Sequence, residues 1–252
     1  MKIAIAQPTY LPWLGYFDLI DEVDCFVLLD SVQFEKQSWQ QRNRIKTPSG
    51  LQWLSVPVFF RGRLGQQILD VEIRDINFWH KHLRAIELSY RRAPYFDVYF
   101  AQLADIFQTC SSGTAKLVDL NLRLIQWFYR TLGLLTKMVR SSEIGVSGKR
   151  CDLLLNVCQH LQADSYLSQV GSAAYLLPEL ERFSAAGIEV MFQHYEHPQY
   201  QQLFPPFCEY ASTLDLLFNE GDRAVNVVRS GRRPALSPDE LAVVGDSKAN
   251  PW

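Results

Sequence analysis

Short apolar runs and helical apolar spacings alternate at both ends of the chain. The runs Ile3–Ala6 and Asp24–Asp30 are almost continuously apolar, which is typical of strands covered on both faces. Between them, Gly15–Glu22 carries its large apolar residues at helical spacing. Strand, helix and strand in this order predict a parallel βαβ unit with a right-handed crossover.

The next stretch has a different pattern. Ser31–Lys46 mixes aromatic, amide and arginine residues, and Leu51–Phe60 alternates in part and is rich in β-forming residues. Thr47–Gly50 is a turn sequence between them, and Ile68–Ile73 is predicted as a further strand. These segments predict an antiparallel insertion or extension of the sheet.

Residues 77–135 are predicted to form a helical middle region. Apolar residues recur there at three- and four-residue spacings in His80–Tyr90, Phe96–Thr109 and Lys116–Leu132. Beyond this region, strands and helices alternate again. The expected strands are 138–139, 165–167 and 187–192, and the expected helices are 150–161, 173–186 and 212–219.

The two ends of the chain are therefore expected to build one sheet. We predict an α/β fold with a Rossmann-like, mainly parallel sheet, an antiparallel extension and the helical middle region, all in a single domain over residues 1–228. The last residues, 229–252, contain three prolines and few large apolar side chains. They are expected to be a polar surface tail.

Composition narrows the class of protein. The chain of 252 residues is 48% apolar, has a net charge of −2 and contains five scattered cysteines without a CxxC pair. These features predict a globular cytoplasmic protein with reduced thiols. No apolar run approaches the ~18 residues of a membrane span. The slight acidic balance argues against nucleic acid as a partner.

The first candidate site is the loop from Gln7 into the first helix. Ligands of open α/β sheets bind beyond the carboxyl ends of strands, and Gln7, Tyr10 and Trp13 follow the first strand directly. Gly15 and Tyr16 begin the helix, where free N–H groups and the helix dipole favour an anion. Glycine at this position would also let a ligand approach the backbone. The alternative is that the prolines and aromatic rings only make the connection rigid.

This loop lies where the HxGH nucleotidyltransferases, of the HUP-like class, keep their nucleotide-binding motif. The sequence Gly-Tyr-Phe-Asp-Leu-Ile is similar to their Gly-His-x-Asp-x-Ile. However, Trp13 and Tyr16 occupy the positions of the two histidines. The similarity therefore concerns topology, and that family's route to triphosphate chemistry is in doubt.

The second candidate site follows the second strand. Asp30 lies at its carboxyl end and is a candidate general base, with Gln33 close behind it in the sequence. Arg42, Asn43 and Arg44 offer two guanidinium groups and an amide, which suit phosphate or carboxylate recognition. In a strand the two arginines share one face and Asn43 lies on the other, so the arginines would act together or form a solvated face.

The third and fourth candidate sites follow later strands. His194 and His197 are candidates for proton transfer, with Tyr200 as a ligand-binding neighbour. Because Pro198 disfavours a regular helix through the histidines, we predict no metal site there. Ser168 begins a small-residue loop before a helix and is a candidate anion ligand.

Four segments, taken in order, resemble the WbqC-like family of bacteria. They are AQPTYLPWLGYFDLI, WQQRNRIK leading to WLSVPV, YLSQVGSAAYL, and GIEVMFQHYEHPQYQQ followed by STLDLLFNEG. The resemblance covers residues 1 to about 222, and the order of several motifs makes it specific. In the third segment Gln169 stands where the family pattern has glycine.

The resemblance implies a function. Members of this family occur among genes for bacterial surface polysaccharides such as O-antigen, and transfer of glycine onto such sugars has been suggested for them. It implies an acyl or aminoacyl transferase of glycan or natural-product assembly, acting on a small molecule that is nucleotide-linked or a glycan precursor. A nucleotide or aminoacyl donor is then expected, and the sequence identifies no specific cofactor.

Two other functions stay open. The chain could be a non-catalytic ligand-binding or scaffold protein, in which case Trp13, Trp39 and Tyr200 would lie on a flat outer face rather than in one pocket. It could also be a nucleotidyltransferase-like enzyme that lacks the HxGH histidines. The sequence does not indicate an oligomeric state.

Overall fold

Residues 1–63, 65–110 and 116–245 are described by the computed structural model. The strands are β1 (Lys2–Ala6), β2 (Cys25–Leu28), β3 (Arg42–Thr47), β4 (Gly50–Ser55), β5 (Lys137–Arg140), β6 (Ser165–Ser168), β7 (Glu189–Tyr195) and β8 (Arg232–Leu236). The α-helices are α1 (Leu14–Asp21), α2 (Phe78–Tyr90), α3 (Phe96–Cys110), α4 (Leu117–Thr131), α5 (Cys151–His160), α6 (Ala173–Leu176), α7 (Leu180–Ala185), α8 (Thr213–Glu220), α9 (Ala224–Ser230) and α10 (Pro238–Gly245).

Six strands of the described residues form one sheet in the order β5-β2-β1-β6-β7-β8. The first five are parallel to their neighbours, and β8 pairs antiparallel to β7. The predicted parallel βαβ unit is confirmed, with Ile3 paired to Cys25. The chain builds outward from β1 to β5 on one side and then from β6 to β8 on the other. The direction of building therefore reverses between β1 and β6, and this order makes the fold Rossmann-like.

Side chains that alternate along β1 separate two hydrophobic clusters, one on each face of the sheet. Ala4 and Ala6 belong to the first cluster, which α1 shares with the helices of the middle region. Ile3 and Ile5 belong to the second, which includes residues of α5, α7 and α10. β1 and β2 are buried on both faces, as their continuous apolar runs predict.

The antiparallel segment is a hairpin of its own. β3 and β4 pair with each other as a separate two-stranded sheet, with Arg44 opposite Trp53. Its inner face, which includes Asn43 and Ile45, is buried against the first cluster. The segment from Ile68 to Ile73 differs from the predicted strand, because Ile68–Asp70 is a 3-10 turn and Ile73 makes only an isolated bridge to Val58.

The C-terminal segment also differs from the expected tail. Residues 232–236 form the edge strand β8, and α10 follows it with Leu241 buried in the second cluster. The arginine-rich strand is held by charge, since the Arg232 guanidinium donates to Asp18 at 2.8 Å and to Asp21 at 2.7 Å. An edge position also tolerates Pro234, which has no N–H to donate. Residues 246–252 of the expected tail lie outside the described residues.

Candidate functional site

A cavity of about 530 Å³ lies at the carboxyl ends of β1, β6 and β7. Its walls include Ala6 and Gln7 after β1, Gln169 after β6, and His194 near the end of β7. This is the point where the strand order reverses, which is where open α/β sheets bind ligands. The volume is in the range of small-molecule and cofactor sites.

Hydrogen bonds fix the turn after β1 along the cavity wall. The Gln40 amide donates to the Gln7 side-chain oxygen at 2.7 Å, and the Tyr16 hydroxyl donates to the Gln7 carbonyl at 3.2 Å. Asn43 reaches across from β3 and donates to the carbonyl of Leu11 at 2.7 Å. The hairpin and the first turn are thus held together by amide groups, and Gln7, Gln40 and Asn43 all line the cavity.

Trp13 forms an aromatic wall of the same cavity. Its indole is stacked 6.3 Å from the His197 ring and lies edge-on to Tyr195 at 5.4 Å. A side chain added at Gly15 would collide with this indole. The space beside Gly15 is therefore filled by Trp13, and the role that we expected for Gly15, approach of a ligand to the backbone, is taken instead by packing of the ring.

The end of β7 supplies an amide and an imidazole. The Gln193 amide donates to the Gly15 carbonyl and to the Asp18 carboxylate, both at 2.9 Å. Burial raises the pKa of Asp18, although Gln193 and Arg232 act in the opposite direction. A register shift in the pairing of β7 with β8 lies between Phe192 and His194, and such bulges re-aim side chains. Gln193 and the next residue, His194, both line the cavity.

Asp30 lies in a closed polar cluster after β2. Arg140 donates to its carboxylate at 2.7 Å, Ser141 at 3.0 Å, and Ser142 through both its backbone N–H and its hydroxyl at 3.0 and 2.8 Å. Burial works to raise the pKa of Asp30, but these hydrogen bonds outweigh it and hold the pKa below its ordinary value. The carboxylate joins the loop after β5 to the end of β2.

The two predicted arginines lie on the outer face of the hairpin and Asn43 on the inner face, as strand geometry predicts. The guanidinium of Arg42 lies 4.3 Å from the centre of the Trp53 ring. That of Arg44 lies 5.3 and 5.4 Å from the centres of the Trp39 and Trp53 rings and donates to the Tyr210 carbonyl at 3.5 Å. Within the described residues, no carboxylate lies within ion-pair distance of either arginine. Because Trp39 lines the cavity, the guanidinium of Arg44 is one ring away from it.

His197 is packed among aromatic rings behind the wall formed by Trp13. Its Nδ1 lies 3.0 Å from the carbonyl of Pro198, and its ring meets Tyr210 edge-on at 5.2 Å. Burial lowers its pKa to about 4, against a smaller opposing effect of the Pro198 carbonyl. His197 is therefore a neutral packing residue at neutral pH.

The predicted site residues thus divide into two groups. Those that line the cavity are Gln7, Trp13, Tyr16, Asn43 and His194. Those that the structure places elsewhere in its described part are Tyr10, Gly15, Asp30, Gln33, Arg42, Arg44, Ser168, His197 and Tyr200.

Three residues of the second group have clear partners. The buried Tyr10 hydroxyl lies 2.7 Å from Nδ1 of His82, and Tyr200 donates to Asp215 at 2.7 Å. Ser168 hydrogen-bonds Ser172 at 2.6 Å. Gln33 is exposed and bridges Gln67.

Sequence reasoning missed Gln40 and Gln193 as site residues. Gln193 directly precedes His194 at a strand end, so its position was available as a signal, whereas Gln40 reaches Gln7 only through the tertiary fold. Among the described residues that line the cavity, Glu35 and His194 are the ionisable side chains other than tyrosine. No group of three potential metal ligands occurs in the described part of the chain.

One of the comparisons with known proteins identifies a family. A model of the WbqC-like protein family matches residues 7–227. The uncharacterized protein Rv1507c of Mycobacterium tuberculosis is 36% identical over 233 residues, which is 92% of this chain and 99% of that protein. No solved structure matches. Every helix in the described residues is too short or too polar to cross a membrane.

Proposed function

The chain belongs to the WbqC-like protein family, and on that premise we propose that it is a cytoplasmic acyl or aminoacyl transferase of bacterial glycan or natural-product assembly. Its phosphate-bearing donor binds in the cavity at the strand-order reversal. The observation that carries this proposal is the position of His194 in the wall of that cavity, beside a row of carboxamides. Glycine is one candidate for the transferred group.

The lining of the cavity suits the neutral, polar parts of the donor, which are its acyl carbonyl and its hydroxyl groups. Gln7, Asn43, Gln169 and Gln193 place amide groups at the carboxyl ends of three strands and on the hairpin. Asn43 donates to Leu11 and Gln193 donates twice within the fold, so Gln7 and Gln169 are the amides that we propose hold an acyl carbonyl and the hydroxyls of a sugar or ribose. Aromatic walls such as Trp13 exclude water from a reacting ester or anhydride.

His194 takes the proton in the proposed reaction. An acceptor hydroxyl or amine attacks the acyl carbonyl carbon and gives its proton to the imidazole. The bond from that carbon to the donor oxygen breaks, and the phosphate-bearing group leaves with the electron pair. The proton on His194 then passes to the leaving group or to solvent. Asp30, with every carboxylate contact made inside its own cluster, fits a structural role better than that of the base.

Arg44 is the proposed anion clamp, and Arg42 supports it. The Arg44 guanidinium has no carboxylate partner in the described residues, and it donates at 3.5 Å to the Tyr210 carbonyl, which a phosphate oxygen would replace as a stronger, charge-assisted acceptor. The guanidinium lies 5.3 Å from the ring of Trp39, which lines the cavity, so a phosphate that extends past this ring could reach it.

Donor binding and transfer test this proposal in two steps. Nucleotides, aminoacyl donors and sugar nucleotides are first screened by thermal shift, and a saturating donor is expected to raise Tm by about 5 °C or more. His194→Gln should keep this shift but slow transfer by about 10²- to 10⁴-fold. His160→Gln, a change at an exposed position on α5, is the matched control and should transfer at the wild-type rate.

Two outcomes would contradict the proposal. If no phosphate-bearing donor raises Tm, the cavity is not a donor site. If His194→Gln transfers at the rate of the His160 control, the base is another group.

A non-catalytic ligand-binding protein is the second candidate. The observation that favours it is the scarcity of ionisable groups among the described residues of the cavity wall. Against a flat scaffold interface, Trp13 and Trp39 line one concave cavity, whereas Tyr200 lies outside it, bonded to Asp215. Ligand binding that shifts Tm without any transfer to an acceptor would support this candidate.

A further inference from the structure

The cavity has a second end that is built from aliphatic side chains. Its members come from the ends of β1 and β2, from α5, from the turn after β6, from β8 and from α10. They are Ile5, Leu29, Leu154, Val170, Leu236 and Leu241. All six belong to or pack against the hydrophobic cluster on the α5 face of the sheet.

The amides lie on the other face. Gln193 bonds to the first turn of α1, and Trp13 packs against the opposite cluster. Ile5 and Ala6 both line the cavity, although their side chains point to opposite faces of β1. The cavity therefore passes over the carboxyl edge of the sheet, with a polar end on the α1 side and an apolar end on the α5 side.

The C-terminal segment completes the apolar end. Leu236 of β8 pairs with Phe192 of β7, and Leu241 of α10 is only 6% exposed. Both residues lie beyond position 227, where the match to the family ends. Two of the six aliphatic side chains at this end are thus supplied by a segment that lies beyond the residues the family model matches.

The polar atoms near the apolar end are already paired. The Tyr166 hydroxyl accepts from Ser168 at 3.1 Å, and Ser172 lies 2.6 Å from both the Ser168 hydroxyl and the Gln169 carbonyl. A ligand group with many hydrogen-bonding atoms would lose its water there without gaining partners. An alkyl chain loses nothing and gains from removal of its surface from water.

We propose that the apolar end binds the alkyl chain of the acyl group, and that Leu236 and Leu241 set the chain length. This inference rests on the proposed function and sharpens it, because the substrate class becomes an acyl group with an aliphatic chain rather than a glycyl group. The carbonyl of that group lies toward His194, and the chain runs over the end of β1 to α10.

Binding of a homologous series tests the inference without any transfer reaction. The probes are acetate, butanoate, hexanoate and octanoate, with binding followed by calorimetry and by fluorescence of the tryptophans in the cavity wall. Each methylene that enters the apolar end should tighten binding about fourfold until the end is full.

Variants at one position of the wall make the test specific. Leu241→Ala should move the plateau of affinity to chains about two carbons longer, and Leu241→Trp should weaken hexanoate about tenfold or more while sparing acetate. Leu83→Ala is the matched control, because Leu83 is similarly buried, at 9% exposure, but lies in the opposite cluster. It should leave the series unchanged.

A flat series from acetate to octanoate, or no binding of any member, would overturn the inference. So would a Leu241→Ala series identical to that of Leu83→Ala. The two proposals fail separately. Binding that depends on chain length, without transfer from any donor, contradicts only the proposed transferase reaction. Transfer activity with equal affinity for glycyl and long acyl groups contradicts only the proposed alkyl-chain binding at the apolar end.

Discussion

The turns after β1 and β2 begin alike and end differently. Each turn follows a buried strand, and the two strands pair in parallel with each other. Both turns carry polar side chains at the same edge of the sheet. After β2, Asp30 is fully buried and is held by Arg140 and two serines. After β1, the Gln7 side chain accepts one hydrogen bond from Gln40, its carbonyl accepts one from Tyr16, and the residue lines an open cavity.

The difference shows that position at a strand end is not enough to identify a functional group. A carboxylate there can be satisfied by its own neighbours, in which case it stabilises the fold and offers little to a ligand. A carboxamide beside a cavity keeps donors and acceptors available. The turn after β2 is thus held rigidly by its own contacts, and the turn after β1 is the one that we propose binds the ligand.

The largest expected effect is on stability at the rigid turn. Asp30→Ala leaves Arg140 without its buried partner, and we expect the free energy of unfolding to fall by about 3–5 kcal/mol. Urea denaturation at pH 7 measures this. Asp105→Ala, at an exposed position in the middle of α3, is the control and should change the free energy by less than about 0.5 kcal/mol. Unchanged stability combined with lost transfer would instead make Asp30 a catalytic base.

The binding turn is tested by a smaller change. Gly15→Ala forces the Trp13 indole to move, because the new side chain and the ring cannot occupy the same space. We expect a loss of about 1–3 kcal/mol in stability and about tenfold in donor affinity. In a Trp13→Leu background the same change should cost little stability, which a double-mutant cycle detects. Additive costs would show that the contact does not explain Gly15.

Acid should weaken the packing behind Trp13. Burial lowers the pKa of His197 to about 4, and the pKa of His82 to about 4 as well. Both rings are neutral when folded but take up protons in the unfolded chain near pH 6.5. The contribution of these two neutral rings to the free energy of unfolding is therefore fully present above that pH, and it is lost as pH falls from about 6.5 to about 4.

The variant His197→Phe cannot take up this proton. We expect its unfolding free energy to fall less steeply between pH 6.5 and 4.5 than that of the wild type, by about 1–2 kcal/mol over the range. Urea titrations at several pH values measure the two slopes. Equal slopes would mean that His197 is protonated in the folded protein.

The smallest expected effect is at the hairpin. Arg42→Gln removes a partly exposed cation from the Trp53 ring and should change stability by less than about 1 kcal/mol. Arg44→Gln should leave stability similar but weaken a phosphate-bearing donor by about tenfold. Thermal unfolding and donor titration of both variants separate these effects. If Arg42→Gln weakens the donor as much as Arg44→Gln, the two arginines bind the anion together.

The sheet could be predicted because its strands are continuously apolar. Ile3–Ala6 and the run around Val27 show the same pattern that burial on both faces requires. The strand Arg232–Leu236 could not be predicted in this way, because its two arginines and its proline interrupt any apolar pattern. Its stability comes from ion pairs with Asp18 and Asp21, which are distant in the sequence.

Position at a strand end predicted part of the candidate site. Gln7 directly after β1 and His194 near the end of β7 both line the cavity. Tyr10 does not line it, although it is close in sequence, because its buried ring packs against His82. Leu241 lines the cavity from a segment that its composition made look like surface.

A crystal structure with a bound, non-reactive acyl-adenylate analogue tests the central claim most directly. We expect its density in the cavity at the reversal between β1 and β6, with the acyl carbonyl near His194 and the carboxamide of Gln7 in contact with the ligand. Density on the outer face of the hairpin beside Arg42, with the cavity empty, would contradict the account.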